Sequence, residues 1–286
     1  MIAVPNSSGT SLPRYKAPPG TCDCHIHIYD PRFKMKWPKL RAVTDASVEQ
    51  YRLLQKRLGT ARAVVVQPAA HGTDNAVTLD AVAQLGIENA RGIAVCHPTV
   101  TDTELVAMNK AGIRGLRFTL HEPRTAVTSV EMIEPLAHRA HRLGWHVQLH
   151  LRAEQIVLWA QIIEKLPGTL VFDHMARLPQ PQGPRHPALA IVKRLIDKGS
   201  TWVKLSGPYL ETQVGPPRYA DVKSTARALL EYAPQRCVWG SDWPHPTEPH
   251  TKPDDAVLFD LVQEWTTDEI TRMKILVANP ATLYGF

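Results

Sequence analysis

From residue 21 onward the chain alternates between two hydrophobic rhythms. Short β-branched runs, the pattern of buried strands, recur at 21–28, 61–67, 90–96, 113–118, 145–151, 169–174, 201–206 and 236–242. Between them, from SVEQYRLLQKRLG through DDAVLFDLVQEW, apolar residues return every three to four positions, the period of an amphipathic helix. Thr101 with Glu104 reads as a capping box, and Gly59, Gly112, Gly144 and Gly199 follow last helical turns. Eight strands alternating with eight helices predict an α/β fold, a distorted single-domain (β/α)8 TIM barrel over residues 21–286. Residues 1–20 read as an N-terminal arm rich in Pro, Ser and Gly. A doubly wound open sheet is the competing architecture, weakened because no glycine-rich dinucleotide fingerprint follows any strand. Two connections are longer than the rest, 29–46 and 206–218. Both follow strand C-terminal ends, where barrel active sites lie, and their prolines predict stiff lids.

Composition narrows the partners. The chain has 286 residues, 44% of them hydrophobic, enough to bury one large core. Its 33 Lys and Arg exceed its 27 Asp and Glu by six, but they are scattered, which argues against nucleic acid and leaves room for a small anionic substrate. Cys22, Cys24, Cys96 and Cys237 lack metal-finger spacing and are expected to be reduced thiols of a cytoplasmic protein. The N-terminal stretch lacks the pattern of a signal peptide, and no apolar run reaches the ~18 residues of a membrane span. An oligomer is compatible with all of this.

Polar side chains recur at the strand ends, where burial is costly unless they are paired or used. His25 and His27 close the first strand, Gln67 the second, Arg117 the fourth, His150 the fifth, His174 the sixth, Lys204 the seventh and Asp242 the eighth. One histidine on a strand is more often a hydrogen-bonded core residue than a ligand. Convergence of the whole set on one barrel mouth explains the recurrence better.

The HIH of the first strand, FDHMARLP at the sixth, and VWGSDWPHP followed by PDD at the eighth resemble the amidohydrolase superfamily. More narrowly, they resemble the branch containing 2-pyrone-4,6-dicarboxylate lactonase and D-galactarolactone isomerase. The resemblance implies a catalytic set of His25, His27, His174 and Asp242, with Arg117 and Arg177 gripping substrate carboxylates. Arg124 falls near a third such arginine, one residue out of the family's spacing. Tyr209 stands where the lactonase carries another arginine, and His150 where it carries a tyrosine. Gln67 and His245 complete the substrate-facing set.

The implied reaction is hydrolysis of a carboxylated lactone. Asp242 would take a proton from the attacking water and return it to the leaving oxygen, while the three histidines stabilise the oxyanion. The leading expectation is that no cofactor is required, since some resembling enzymes work without metal. The alternative is a single divalent cation, zinc, held by His25, His27, His150 and Asp242. Two further enzyme readings remain, a lactone isomerase and a metal-dependent decarboxylase, together with a non-catalytic binder of sugar acids.

Overall fold

The β-branched runs form eight parallel strands in one sheet whose spatial order is their chain order. They are β1 Cys22–Ile26, β2 Arg62–Val66, β3 Ala90–Ala94, β4 Ile113–Thr119, β5 His146–His150, β6 Leu170–Phe172, β7 Thr201–Leu205 and β8 Cys237–Trp239. The computed structural model describes residues 1–37, 45–123 and 126–286. The sheet curls until its edges meet, where Asp242 N–H donates to the His25 carbonyl and His27 N–H to the Trp243 carbonyl, both at 2.8 Å. The outcome is the single-domain barrel that the alternation predicts, nearly closed. At that seam only glycine fits position 240, because a Cβ there would lie 2.8 Å from both the His25 nitrogen and its Cβ.

Inside the barrel, Cys22, Cys24, Val64, Val171 and Val238 form one apolar cluster with Tyr284. Strict alternation along β1 would turn His25 and His27 to the opposite face from those cysteines. Instead the pairing of β1 with β2 shifts register between Asp23 and Ile26, and the irregularity aims both imidazoles into the mouth above the cysteines.

Helices α1 Val48–Leu58, α2 Ala76–Leu85, α3 Asp102–Lys110 and α4 Ile133–Arg142 lie between the early strands. The Thr101–Glu104 capping box is present on α3, and Gly59 ends α1 in the left-handed region. The fifth helical stretch is broken into α5 Ala153–Leu158 and α6 Ala160–Ile163, followed by α7 Pro187–Asp197, α8 Lys223–Tyr232 and α9 Asp255–Trp265. Beyond the expected eighth helix come α10 Glu269–Met273, a π turn and α11 Asn279–Tyr284. This tail stoppers the barrel end opposite the site, with the Arg91 guanidinium on the Tyr284 and Gly285 carbonyls and over the Phe286 ring. Residues 1–20 carry no helix or strand; the buried Arg57 of α1 ties them down through the Ser8 and Ser11 carbonyls and also holds Asp254, the cap of α9. Among the described residues, no helix is long and apolar enough to cross a membrane.

Every strand but β4 stops one to three residues before the end of its sequence pattern, and at β6 and β8 the backbone that follows leaves the extended region altogether. β6 ends at Phe172 because His174, Met175, Ala176 and Arg177 follow with φ of 49°, 54°, 57° and 49°. β8 ends at Trp239, and Asp242 has φ of 65°. A left-handed conformation costs a non-glycine residue roughly 1–2 kcal/mol, so four in succession mark a turn that its surroundings must hold. Of the two connections expected to be lids, 29–46 lies partly outside the described residues. The other opens with a turn at Pro208–Leu210 that buries Tyr209.

Candidate active site

At the C-terminal mouth of the barrel a cavity of about 240 Å³ is lined by His27, Tyr29, Arg117, His150, His174 and Asp242, among others. Directly beneath its lining three atoms face one another. His25 Nε2 lies 3.3 Å from His27 Nε2 and 3.5 Å from Asp242 Oδ1, and His27 Nε2 lies 3.6 Å from that same oxygen. The far sides of both rings are taken: His27 Nδ1–H donates to the Val66 carbonyl at 2.8 Å, and His25 Nδ1 faces Asp173 Oδ1 at 3.3 Å. A neutral imidazole carries one N–H, so His27 Nε2 presents a lone pair. His25 Nδ1 lies between Asp173 Oδ1 and the Lys204 ammonium, 3.4 Å away, so that the His25 hydrogen sits on Nδ1 when the ring faces the carboxylate and on Nε2 when it accepts from the lysine. With the hydrogen on His25 Nε2 the ring donates to His27 Nε2; with it on Nδ1, two lone pairs and a carboxylate oxygen face one another as a donor set for a cation. The edges of this triangle exceed the 2.7–3.2 Å usual for N–H hydrogen bonds. They match the ~3.4 Å separation of donors about 2.1 Å from a tetrahedral zinc, and the carboxylate and carbonyl behind the two rings are the outer partners that ligating histidines usually have.

His174 joins this group: its ligating atom lies within 4.8 Å of those of His25 and Asp242. Its Nδ1 is 2.9 Å from the Ser206 hydroxyl. His150, the fourth member of the ligand set expected from sequence, is held elsewhere. Its Nδ1 lies 3.1 Å from an Arg117 nitrogen and its Nε2 3.1 Å from an Arg177 nitrogen. With one lone pair available, the ring accepts from only one of these guanidinium groups, leaving donors of the other for an anion.

Beneath the histidines Arg117 and Lys204, both expected at strand ends, meet Asp173 and Gln148, which the sequence did not single out. Asp173 Oδ2 accepts from Arg117 Nε at 2.9 Å and Gln148 Nε2 at 3.1 Å, while Lys204 Nζ stands 3.8 Å from Oδ1. Burial raises the Asp173 carboxyl's proton affinity, but Arg117, His25 and Lys204 outweigh it and hold the group well below the usual carboxylate range. Asp242 likewise lies well below that range, with burial overcome by His174, His27 and His25. Burial pulls Lys204 down to about 8 and His174 to about 4.

The other residues expected at the site are dispersed around it. Gln67 lines the cavity, yet its amide is spent on the Gly72 and Asp74 carbonyls and the Thr78 hydroxyl. Arg177 pairs with Glu211. Tyr209 and His245 are buried behind Asp242, outside the cavity lining, and Arg124 lies outside the described residues. His121, which the sequence reading missed, stacks on His150 with ring centres 4.1 Å apart.

Burial, followed by neighbouring cations, lowers His121 and His146 to about 3. Both are neutral in the fold, whereas their unfolded counterparts protonate near 6.5. Stability is therefore fully present above pH 6.5 and falls as pH drops from 6.5 toward 3, by up to about 1.4 kcal/mol per pH unit for each histidine. Urea midpoints measured between pH 8 and 5 are expected to fall on the acid side. His146→Gln is expected to flatten that slope, and an unchanged slope would contradict the assignment.

The family model described as Amidohydrolase matches residues 22–286. The 2-pyrone-4,6-dicarboxylate hydrolase of Comamonas testosteroni is 34% identical over 284 residues, covering 96% of this chain and 93% of that protein. The 4-sulfomuconolactone hydrolase of Rhizobium radiobacter is 34% identical over 276 residues, covering 95% and 92%. The D-galactarolactone isomerase of Agrobacterium fabrum is 33% identical over 282 residues, covering 97% and 94%.

Proposed function

The chain belongs to the amidohydrolase family, and from that premise we propose that it is a hydrolase of cyclic esters that opens a lactone bearing an anionic group. One observation carries this reading. A single cavity is lined on one side by Asp242, His27 and His174, with His25 directly behind them, and on the other by Arg117 and His150, whose second nitrogen meets Arg177 from outside the lining.

Arg117, fixed through its Nε on Asp173, and Arg177 bind the substrate's anionic group and set the ring's orientation. Asp242 Oδ1 takes a proton from the attacking water and later returns it to the leaving ring oxygen, so that one C–O bond forms and the ester C–O bond breaks. His174 stabilises the developing oxyanion: with Ser206 donating to its Nδ1, its Nε2–H is free for the carbonyl oxygen. His25, His27 and Asp242 would hold a divalent cation such as zinc, with His174 kept as the N–H donor beside them. Such an ion polarises a carbonyl as a Lewis acid and lowers the pKa of a bound water. The spacing of the His25, His27 and Asp242 donor atoms supports this version, and the Lys204 contact to His25 Nδ1 supports the metal-free one expected from sequence.

The test is proton release in weakly buffered indicator solution with carboxylated and sulfonated lactones, together with metal analysis of the purified protein. Acid release on turnover is expected, as is about one divalent ion per chain, with activity lost on chelation and restored by zinc. Substrate conversion without acid release would replace hydrolysis by isomerisation, the activity named for the Agrobacterium relative.

A further inference from the structure

We propose that Tyr209, His245 and Asp255 form a buried positioning chain behind Asp242, holding one carboxylate oxygen so that the other faces the imidazoles. The proposal rests on the reading of Asp242 as the base. The resemblance assigned Tyr209 and His245 to substrate contact, but neither lines the cavity. They lie in sequence along one hydrogen-bonded line. Tyr209 Oη donates to Asp242 Oδ2 at 2.6 Å and lies 3.0 Å from His245 Nδ1; His245 Nε2 lies 3.1 Å from Asp255 Oδ2. His245 and Asp255 are completely buried, with Tyr209 and Asp242 nearly so.

A count of hydrogens gives the line its direction. Asp255 opens α9, where the helix N-terminus favours negative charge, so His245 Nε2 carries the hydrogen that faces it. His245 Nδ1 then offers a lone pair. The Tyr209 hydroxyl has one hydrogen and two acceptors, of which the Asp242 oxygen is the nearer. When Asp242 Oδ1 takes the proton of water, Oδ2 becomes a weaker acceptor and the hydroxyl turns to His245, with no bond to hydrogen broken at Tyr209. The chain thus serves both states of the base.

Its remote end is anchored by the N-terminal arm, since Asp255 N–H donates to the Ser7 hydroxyl and the neighbouring Asp254 is gripped by Arg57. Such support is needed, because Asp242 and His245 both sit at positive φ, 65° and 55°. Asp255 Oδ1 is buried with no hydrogen-bond partner, so His245 is the side chain that this carboxylate serves.

A positioning role lowers kcat and spares KM; direct substrate contact would raise KM. Tyr209→Phe keeps the ring and removes the hydroxyl, and is expected to lower kcat roughly 10- to 100-fold with KM within about twofold. His245→Gln should lower kcat in the wild-type background and change little in the Tyr209→Phe background, because it acts through that hydroxyl. Unchanged kcat, raised KM with kcat intact, or additive losses would each overturn the chain. Thermal unfolding of each variant separates misfolding from lost positioning, and Asp255→Asn supplies an isosteric variant with the same expected kcat loss. If the wild-type protein opens no lactone, the functional reading fails, and nitrogen NMR of labelled histidine decides the chain alone. A His245 Nδ1 resonance that moves in Tyr209→Phe supports it; one that stays in place overturns it.

Discussion

Asp242→Asn is expected to lower kcat/KM for lactone opening roughly 10²- to 10⁴-fold, the range a positioned general base supplies. Asparagine is the informative replacement at this position. It keeps the shape of the side chain, still accepts from Tyr209, and tolerates the left-handed backbone found there, φ 65°, better than alanine would. What it lacks is the negative charge and the ability to take a proton. Its amide N–H groups would also face the Nε2 atoms of His25 and His27 at 3.5 and 3.6 Å, putting hydrogens where a cation would sit. Loss of activity is therefore expected together with loss of any bound divalent ion, while the denaturant midpoint stays near the wild-type value. Initial rates by proton release, metal content and unfolding curves read the three consequences separately. Activity within tenfold of wild type would remove Asp242 from the base role.

The rhythm of the chain was enough for the barrel, because parallel strands buried on both faces read as short β-branched runs. The H-x-H pair, His174 and Asp242 were also legible, since polar residues recurring at strand ends have few structural reasons to be there. Two things were hidden for one physical reason: adjacent residues both point into the barrel, which a period of two forbids. On β1 the register shift after Asp23 puts Cys24 and His25 in the same interior. At β6 the left-handed turn beginning at His174 brings that imidazole in beside Asp173, which continues the inward face of Val171. The motif FDH therefore gave up its histidine and concealed its aspartate. Tyr209 and His245 were recognised as belonging to the site but not on which side of Asp242 they stand, because that depends on how two loops fold against each other.

Asp173→Asn tests that hidden residue and is expected to cost about 3–5 kcal/mol of stability, the usual price of leaving a buried charge without its partner. The carboxylate lies beside Arg117 at 2.9 Å and Lys204 at 3.8 Å, and all three are buried. Without it, two cations share the barrel interior with no carboxylate between them; Lys204, already drawn down to about 8, would give up its proton more readily and so limit the cost. The carboxylate is ionised in the fold well below the usual range, so its contribution is present above the unfolded value near 3.9 and is lost as pH falls through the folded value. The stability gap between wild type and variant, read by urea unfolding, should therefore be full at pH 7 and narrow in acid. Activity is expected to fall as well, because the same carboxylate accepts from the Nε of Arg117 on the anion side of the cavity and lies 3.3 Å from His25 Nδ1 on the acid–base side. A variant within about 1 kcal/mol of wild type at pH 7 would show that the cluster carries its charges independently of Asp173, and the coupling of the two halves of the site through this one residue would fall with it.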